Sequence, residues 1–442
     1  MSSDASRPRL AIFDSGTRTG AWIQSAWCVV AAFGTYACMY GFRKPFTAGT
    51  YPDAGGGADF KVWLVAAQVM GYTVSKFAGI RIIAEMRPEH RTRVLLGLIG
   101  VAELALLLFA WVPAPWNAAC LFLNGLPLGM VFGLVLGFLE GRRLTEAFVA
   151  GLCASFILAD GFTKSVGAQL LKSGVPGPWM PFTAGLVFLL PLLGFTWMLQ
   201  HIPPPTHQDK EARSERTPML RAERVAFLKR HGIGLGLVIL AYLLVTVVRS
   251  LRADFAPEIW AALGTQGQPA VFTRSEFWVT LGVIGINGMA VLIRDNRRAL
   301  LSSFALSMGG LALVLVAIAV LRAGGLTGFQ FMVLLGLGMY VPYVAVHTTV
   351  FERLIALTRD RGNIGYLMYL ADAIGYLGYV GVMLVRRLGK ADTSFLAYFL
   401  TMTGASALLG IAALAGALLC FRKLRGAPRP HANHIPSQMA QT

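Results

Sequence analysis

The chain has 442 residues, 55% hydrophobic and only 14% charged. That excludes a soluble globular protein, whose surface needs roughly 25% charged residues, and a disordered chain, which is far more polar. The 39 basic residues exceed the 22 acidic ones by 17, but most of the surplus lies between apolar blocks, a membrane-topology pattern and not a nucleic-acid footprint.

Apolar blocks such as Val94–Val112, Ala184–Leu199, Ile233–Val248 and Leu300–Val320 approach or reach the length that crosses ~30 Å of hydrocarbon. Taken in chain order, a polar tail over 1–21 with no signal-peptide pattern leads into twelve predicted spans. They fall near 22–45, 60–83, 94–112, 117–139, 145–171, 178–200, 232–253, 275–293, 299–321, 327–350, 362–385 and 394–421. The longest polar segment, 201–231, contains Pro203-Pro204-Pro205 and divides a six-span half (22–200) from a second (232–421), with a tail over 422–442. The prediction is an all-α polytopic membrane protein.

Basic residues fall unevenly between the two sides. One side takes the N-terminal tail, Arg87/Arg91/Arg93, Arg142-Arg143, the 201–231 segment, Arg294/Arg297/Arg298, Arg353/Arg359/Arg361 and Arg422-Lys423-Arg425. The other takes chiefly Lys44, Lys61, Lys172, Arg252, Arg274, Arg322 and Arg386-Arg387-Lys390. The positive-inside rule then predicts a cytoplasmic (inner) membrane location with both termini and the linker in the cytoplasm, which requires an even number of spans.

The two halves repeat. Glu140 precedes Asp160 by twenty residues and Glu352 precedes Asp372 by twenty; Leu158-Ala159-Asp160 recurs as Leu370-Ala371-Asp372, an offset of 212. Glu85–Arg87 recurs as Asp295–Arg297, an offset of 210. Two parallel, pseudo-symmetric six-helix copies are expected about an axis normal to the membrane. Cys28, Cys38, Cys120, Cys153 and Cys420 lie in apolar stretches without paired spacing and are expected to be core residues, with no disulfide or metal site. No cofactor is implied, and no His/Glu metal pattern or nucleophile–base spacing suggests catalysis.

Ionisable groups inside spans need a reason, because each costs at least ~2.5–3.5 kcal/mol at the bilayer centre. Tyr36, Tyr40 and Arg43 share one face of span one; Tyr72 and Lys76 share one of span two; Tyr242 and Arg249 lie seven apart on span seven. Arginine forks suit a multiply charged oxyanion, with tyrosine hydroxyls completing the hydrogen bonding. The competing reading is that Arg43 and Arg249 snorkel to the membrane surface while the tyrosines form an aromatic belt.

Six plus six spans with a central linker is the architecture of major facilitator transporters. Within these, Tyr36-x-x-x-Tyr40-x-x-Arg43-Lys44-x-Phe46, Tyr72-x-x-Ser75-Lys76-Phe77 and Arg249 followed by Asp254-Phe255 and Pro257 resemble segments of helices one, two and seven of the organophosphate:phosphate antiporter family, which includes the glycerol-3-phosphate transporter. The resemblance implies that Arg43 and Arg249 bind an anionic moiety while Lys76, Tyr36, Tyr40 and Tyr72 line the site. It also implies inorganic phosphate as a counter-substrate, protons being the other candidate coupling ion. The sequence departs from the family in span five, where Ala154-Ser155 replaces a histidine, and in span eight, where no acidic residue is found near Thr280.

Asp160 and Lys164, one turn apart on span five, are expected to neutralise each other. Asp372 is expected to pair with Lys164 across the halves or to act in proton coupling, and His347 is a further titratable candidate. Glycines over 125–137, 336–338 and 375–381 are expected to be packing faces. The leading reading is a monomeric secondary transporter of a small phosphorylated or carboxylated organic anion, working by alternating access. The alternative is a non-transporting membrane sensor on the same scaffold.

Overall fold

The computed structural model describes residues 18–51, 57–84, 86, 88–139, 145–203, 221–265, 268–291, 293, 295–358, 364–388 and 394–422. Residues 1–17 and 423–442 of the predicted tails, much of the linker, and the loop charges Glu85, Arg87, Glu140, Arg142, Arg143, Arg294, Arg359, Arg361, Lys390, Lys423 and Arg425 lie outside the described residues.

Within a bilayer every backbone polar group must be satisfied internally, and the apolar blocks accordingly form helices. These are α1 (Arg18–Gly41), α2 (Gly57–Ala84), α3 (Arg91–Trp111), α4 (Asn117–Leu139), α5 (Thr145–Lys172) and α6 (Met180–Gln200). The second half contributes α7 (Arg221–Asp254), α8 (Ala270–Val291), α9 (Asn296–Arg322), α10 (Gly328–Ala345), α11 (Ile364–Leu388) and α12 (Phe395–Phe421). A short helix, Ala256–Ala262, follows α7, and α10 continues through a π-helical turn, Val346–Val350, into Phe351–Thr358. Asp295 and Ser394 cap α9 and α12, and Thr327 with Gln330 forms a reciprocal capping box on α10.

Eight of these helices are long and apolar enough to cross a membrane; α1, α2, α5 and α8 fall outside that set. α2, α5 and α8 carry buried charged side chains. Leu190 and Ile233, 78% and 79% exposed, are outward-facing in the manner of lipid-contacting residues. The protein is an all-helical polytopic membrane protein, with twelve long helices among the described residues, six before and six after the linker. α7 begins at Arg221, inside the stretch expected as linker.

Each half packs on its own before meeting the other. In the first, α4 lies against α2 so closely that a Cβ on Gly125 would meet the Gln68 carbonyl and stand 2.9 Å from the Tyr72 nitrogen, and one on Gly129 would come 2.6 Å from the Tyr72 carbonyl. Only glycine permits that backbone approach. Gly338 plays the same part against Gly310, whereas Gly381 has nothing within 4 Å and packs on no neighbour as closely as expected. The halves meet along two seams related by the pseudo-symmetry, α5 against α8 and α2 against α11. Four cysteines are buried as expected; Cys420 is exposed.

Candidate functional site

Helix α1 stops at Gly41, so Arg43, inside the span expected over 22–45, stands two residues past the end of the helix. Its position is fixed by side-chain amides. Gln68 of α2 donates to the Arg43 carbonyl at 2.9 Å and to Asn124 Oδ1 of α4 at 2.7 Å; Asn124 donates in turn to the Phe42 carbonyl at 3.1 Å. The turn is thereby pinned against the α2–α4 pair and the guanidinium aims inward. Arg43 is 3% exposed and Arg249 7%, so neither snorkels, and the site tyrosines are equally buried and form no surface belt.

The Arg43 guanidinium carbon lies 3.8 Å from the centre of the Tyr72 ring and 5.8 and 5.9 Å from those of Tyr40 and Tyr376. Arg249 lies 4.4 Å from the Tyr343 ring and 5.8 Å from the Tyr340 ring, and donates to the Tyr376 hydroxyl at 3.4 Å. Tyr376 of α11 thus links the two arginines, and its ring packs on Tyr72 at 5.2 Å. Tyr36 sits one layer back, against Tyr40 and Phe132. Cation–π contacts of this kind contribute about 0.5–2 kcal/mol each. They leave Nε of both arginines without a hydrogen-bond partner.

Charges flank this pair toward both ends of the molecule. Toward the end where α1 finishes, the far end, Lys44 pairs with Asp254 and lies 3.7 Å from Asp160. Asp160 also pairs with Lys164, as the sequence predicted. Lys61 pairs with Glu258 at 2.7 Å and donates to the Thr47 carbonyl at 2.7 Å. Arg252 pairs with Glu276 of α8 at 2.7 Å and donates to the Met332 carbonyl at 2.9 Å. Toward the near end, where α1 begins, Lys76 pairs with Asp372 at 2.7 Å, while the Tyr242 hydroxyl donates to Asp372 and His347 Nε2 stands 3.4 Å from it.

These contacts correct the sequence reading in three places. Asp372 pairs with Lys76 and not with Lys164, because α11 packs on α2. Lys44, Lys61 and Arg252, assigned to the outer side as topology charges at the ends of predicted spans, are buried at 7%, 0% and 1% exposure; a count of charges by side cannot distinguish a surface charge from an ion pair closing the end of a helix. The acidic residue missed in span eight is Glu276, one turn before Thr280 and facing Arg252. Lys44 and Asp254 were present in the motif segments, yet only the fold shows them as partners.

A charge balance follows for the cluster. Seven buried cations (Arg43, Lys44, Lys61, Lys76, Lys164, Arg249 and Arg252) face five carboxylates. The carboxylates match Lys44, Lys61, Lys76, Lys164 and Arg252 one to one. The two left over are Arg43 and Arg249, with no carboxylate partner among the described residues. A buried unpaired charge costs several kcal/mol, and the aromatic contacts add no negative charge, so an anion entering between these arginines finds a site short of two negative charges.

Residues 45–424 match a family described as "Family of unknown function (DUF5690)", and no curated protein matches the sequence. The fold resembles that of a bacterial homologue of the human lysosomal transporter Spinster (TM-score 0.61, 12% identity, 92% of this chain and 98% of that one). It also resembles the nucleoside transporter NupG (0.60, 14%, 89% and 98%) and a D-xylose–proton symporter (0.59, 14%, 91% and 98%).

Proposed function

The chain belongs to the DUF5690 family and has the major facilitator fold, and from that premise we propose that it is a secondary active transporter of a small organic anion. The anion is phosphorylated or carboxylated, and the two halves alternate access to it. The observation that carries this reading is the pair of buried arginines, one from each half, left without carboxylates where five neighbouring cations are matched. Guanidinium forks take phosphate or carboxylate bidentately. Arg43 and Arg249 would clamp the anion, Lys76 would approach from the near end, and Tyr40, Tyr72 and Tyr376 would supply hydroxyls, with Tyr36 behind them.

An anion bridging the halves would draw them together, and the ion pairs at either end would part in turn as access alternates. The proposed setting is the cytoplasmic membrane, with both termini inside and the monomer as the working unit. Exchange against inorganic phosphate and coupling to protons are the two modes this interior chemistry supports.

Purified protein tests the reading. Ligands that bind the folded state raise its stability, by about 2.7 kcal/mol at a hundredfold excess over Kd. Inorganic phosphate, phosphate monoesters and dicarboxylates are screened by thermal shift, then repeated on Arg43→Lys and Arg249→Lys. A point charge cannot replace the fork, and the loss of about 1.5–3 kcal/mol predicts a tenfold to hundredfold weaker Kd. Equal stabilisation of wild type and both variants would sink the anion clamp. Uptake of the stabilising anion into proteoliposomes then separates transport from sensing.

A further inference from the structure

At the near end, His347, Asp372 and Tyr242 take no part in the anion clamp, although Lys76 beside them does. His347, Asp372, Tyr242 and Lys76 come from the π-helical turn, α11, α7 and α2, and all four are buried. We propose that His347 and Asp372 form a proton-binding site linked through Lys76 to the anion site, so that one proton is taken up as the anion binds. The linkage to an anion rests on the function proposed above; the proton site itself does not.

The geometry carries it. A π turn inserts an extra residue and re-aims the side chains that follow, and such turns cluster at functional sites. Here it sets His347 Nδ1 3.2 Å from the Tyr343 carbonyl and Nε2 3.4 Å from Asp372 Oδ1. The ring thus faces an acceptor oxygen on each side; a neutral imidazole can donate to one of them, and protonation lets it donate to both and forms an ion pair with Asp372. Tyr242 stands beside both, 3.4 Å from Nε2 and donating to the same carboxylate oxygen. Facing Asp372 from the remaining elements are Lys76 of α2 and the thiol of Cys153 on α5, with Tyr376 on its own helix. Lys76 is thus its only fixed cation among the described residues.

Lys76 also faces the arginine site. Its Nζ lies 5.3 Å from the Tyr72 ring, against which Arg43 packs at 3.8 Å, and 5.2 Å from Tyr369. An anion over Arg43 draws Lys76 toward it and away from Asp372. The carboxylate is then buried without its cation, and a proton from water, forming the second N–H bond of the imidazole, restores a partner. When the anion leaves, Lys76 returns and the proton departs to water.

The test needs no ligand. Melting temperature is measured between about pH 8 and 5.5, where imidazole changes charge, for wild type, H347Q, K76Q and K76Q/H347Q. A cationic imidazole that gains a partner on folding contributes stability present at low pH and lost as pH rises. In the K76Q background, therefore, the melting-temperature advantage of retaining His347 should grow by roughly 2 °C or more as pH falls. With Lys76 present the growth should be smaller. A difference that stays flat with pH in both backgrounds overturns the proposal, as does equal growth in both. Should K76Q fail to fold, D372N serves: any pH-dependent difference between wild type and H347Q must vanish there, and its persistence overturns the site. The signature should survive in R43K and R249K, so its loss in a protein that still binds inorganic phosphate counts against the proton site alone. Phosphate binding undiminished in those two variants with the signature intact counts against the anion clamp, not the proton site.

Discussion

Consider the far-end pair Lys44–Asp254. Asp254 accepts from Lys44 and from the Tyr379 hydroxyl at 3.0 Å. Asp254→Asn keeps the shape and removes the charge. Lys44 is then left with Asp160 at 3.7 Å, which already serves Lys164. Removing one partner of a buried pair costs about 3–5 kcal/mol; because the asparagine oxygen still accepts, the lower end, about 3 kcal/mol, applies here. Lys44→Met alone strands Asp254 with one hydroxyl and costs about as much. The double variant K44M/D254N removes both charges, and replacing a buried pair by neutral groups is often close to neutral. Its expected cost is about 1–2 kcal/mol, less than either single change. The assay is SDS-titration unfolding in mixed micelles, followed by tryptophan fluorescence in a double-mutant cycle. Additive costs, within about 0.5 kcal/mol, would refute the argument that the two charges hold the halves together through one another.

Gly125→Ala drives a methyl into the α2 backbone and should cost about 1–3 kcal/mol by thermal unfolding, whereas Gly97→Ala, with nothing within 4 Å, should be silent; equal effects would refute the contact. Glu276→Gln strands Arg252 and should destabilise by about 3 kcal/mol, largely restored in R252M/E276Q, as read by melting temperature. Cysteines replacing Arg43 and Arg249 lie on either side of Tyr376 and should be bridged by a crosslinker of about 10 Å, detected as a mobility shift after cleavage of the linker. Reporter fusions after Lys210 and after Met439 should both give a cytoplasmic signal; an external signal at either would end the proposed topology.

The helices were legible because an amino-acid block that must satisfy its own backbone in lipid has few alternatives. Arg43, Arg249 and Lys76 stood out for a related reason: charges inside apolar blocks are costly enough to be noticed individually. Their partners did not. Glu276 sits near the start of α8 beside Arg274, where charge at the edge of a block looks like an ordinary loop. Lys61 and Glu258, 197 residues apart, carry no local sign of one another. Asp372 was visible but its partner was not, since pairing depends on α2 facing α11, a long-range choice that spacing within one helix does not encode. The place of Tyr376 between two arginines required both halves at once.

The glycine contact between α2 and α4 has a mechanical consequence. It grips α2 near Gln68–Tyr72, leaving arms of about 13 Å to Lys61 and about 9 Å to Lys76 at 1.5 Å per residue. A stiff rod held at such a fulcrum cannot tilt at one end alone. Separating Lys61 from Glu258 by about 3 Å takes a tilt of about 13°, which swings the Lys76 end about 2 Å the opposite way, tightening its hold against α11. In the alternating-access cycle proposed above, opening at one face would press the other face shut, and the rigidity needed for that would come from glycines too small to reach across the gap.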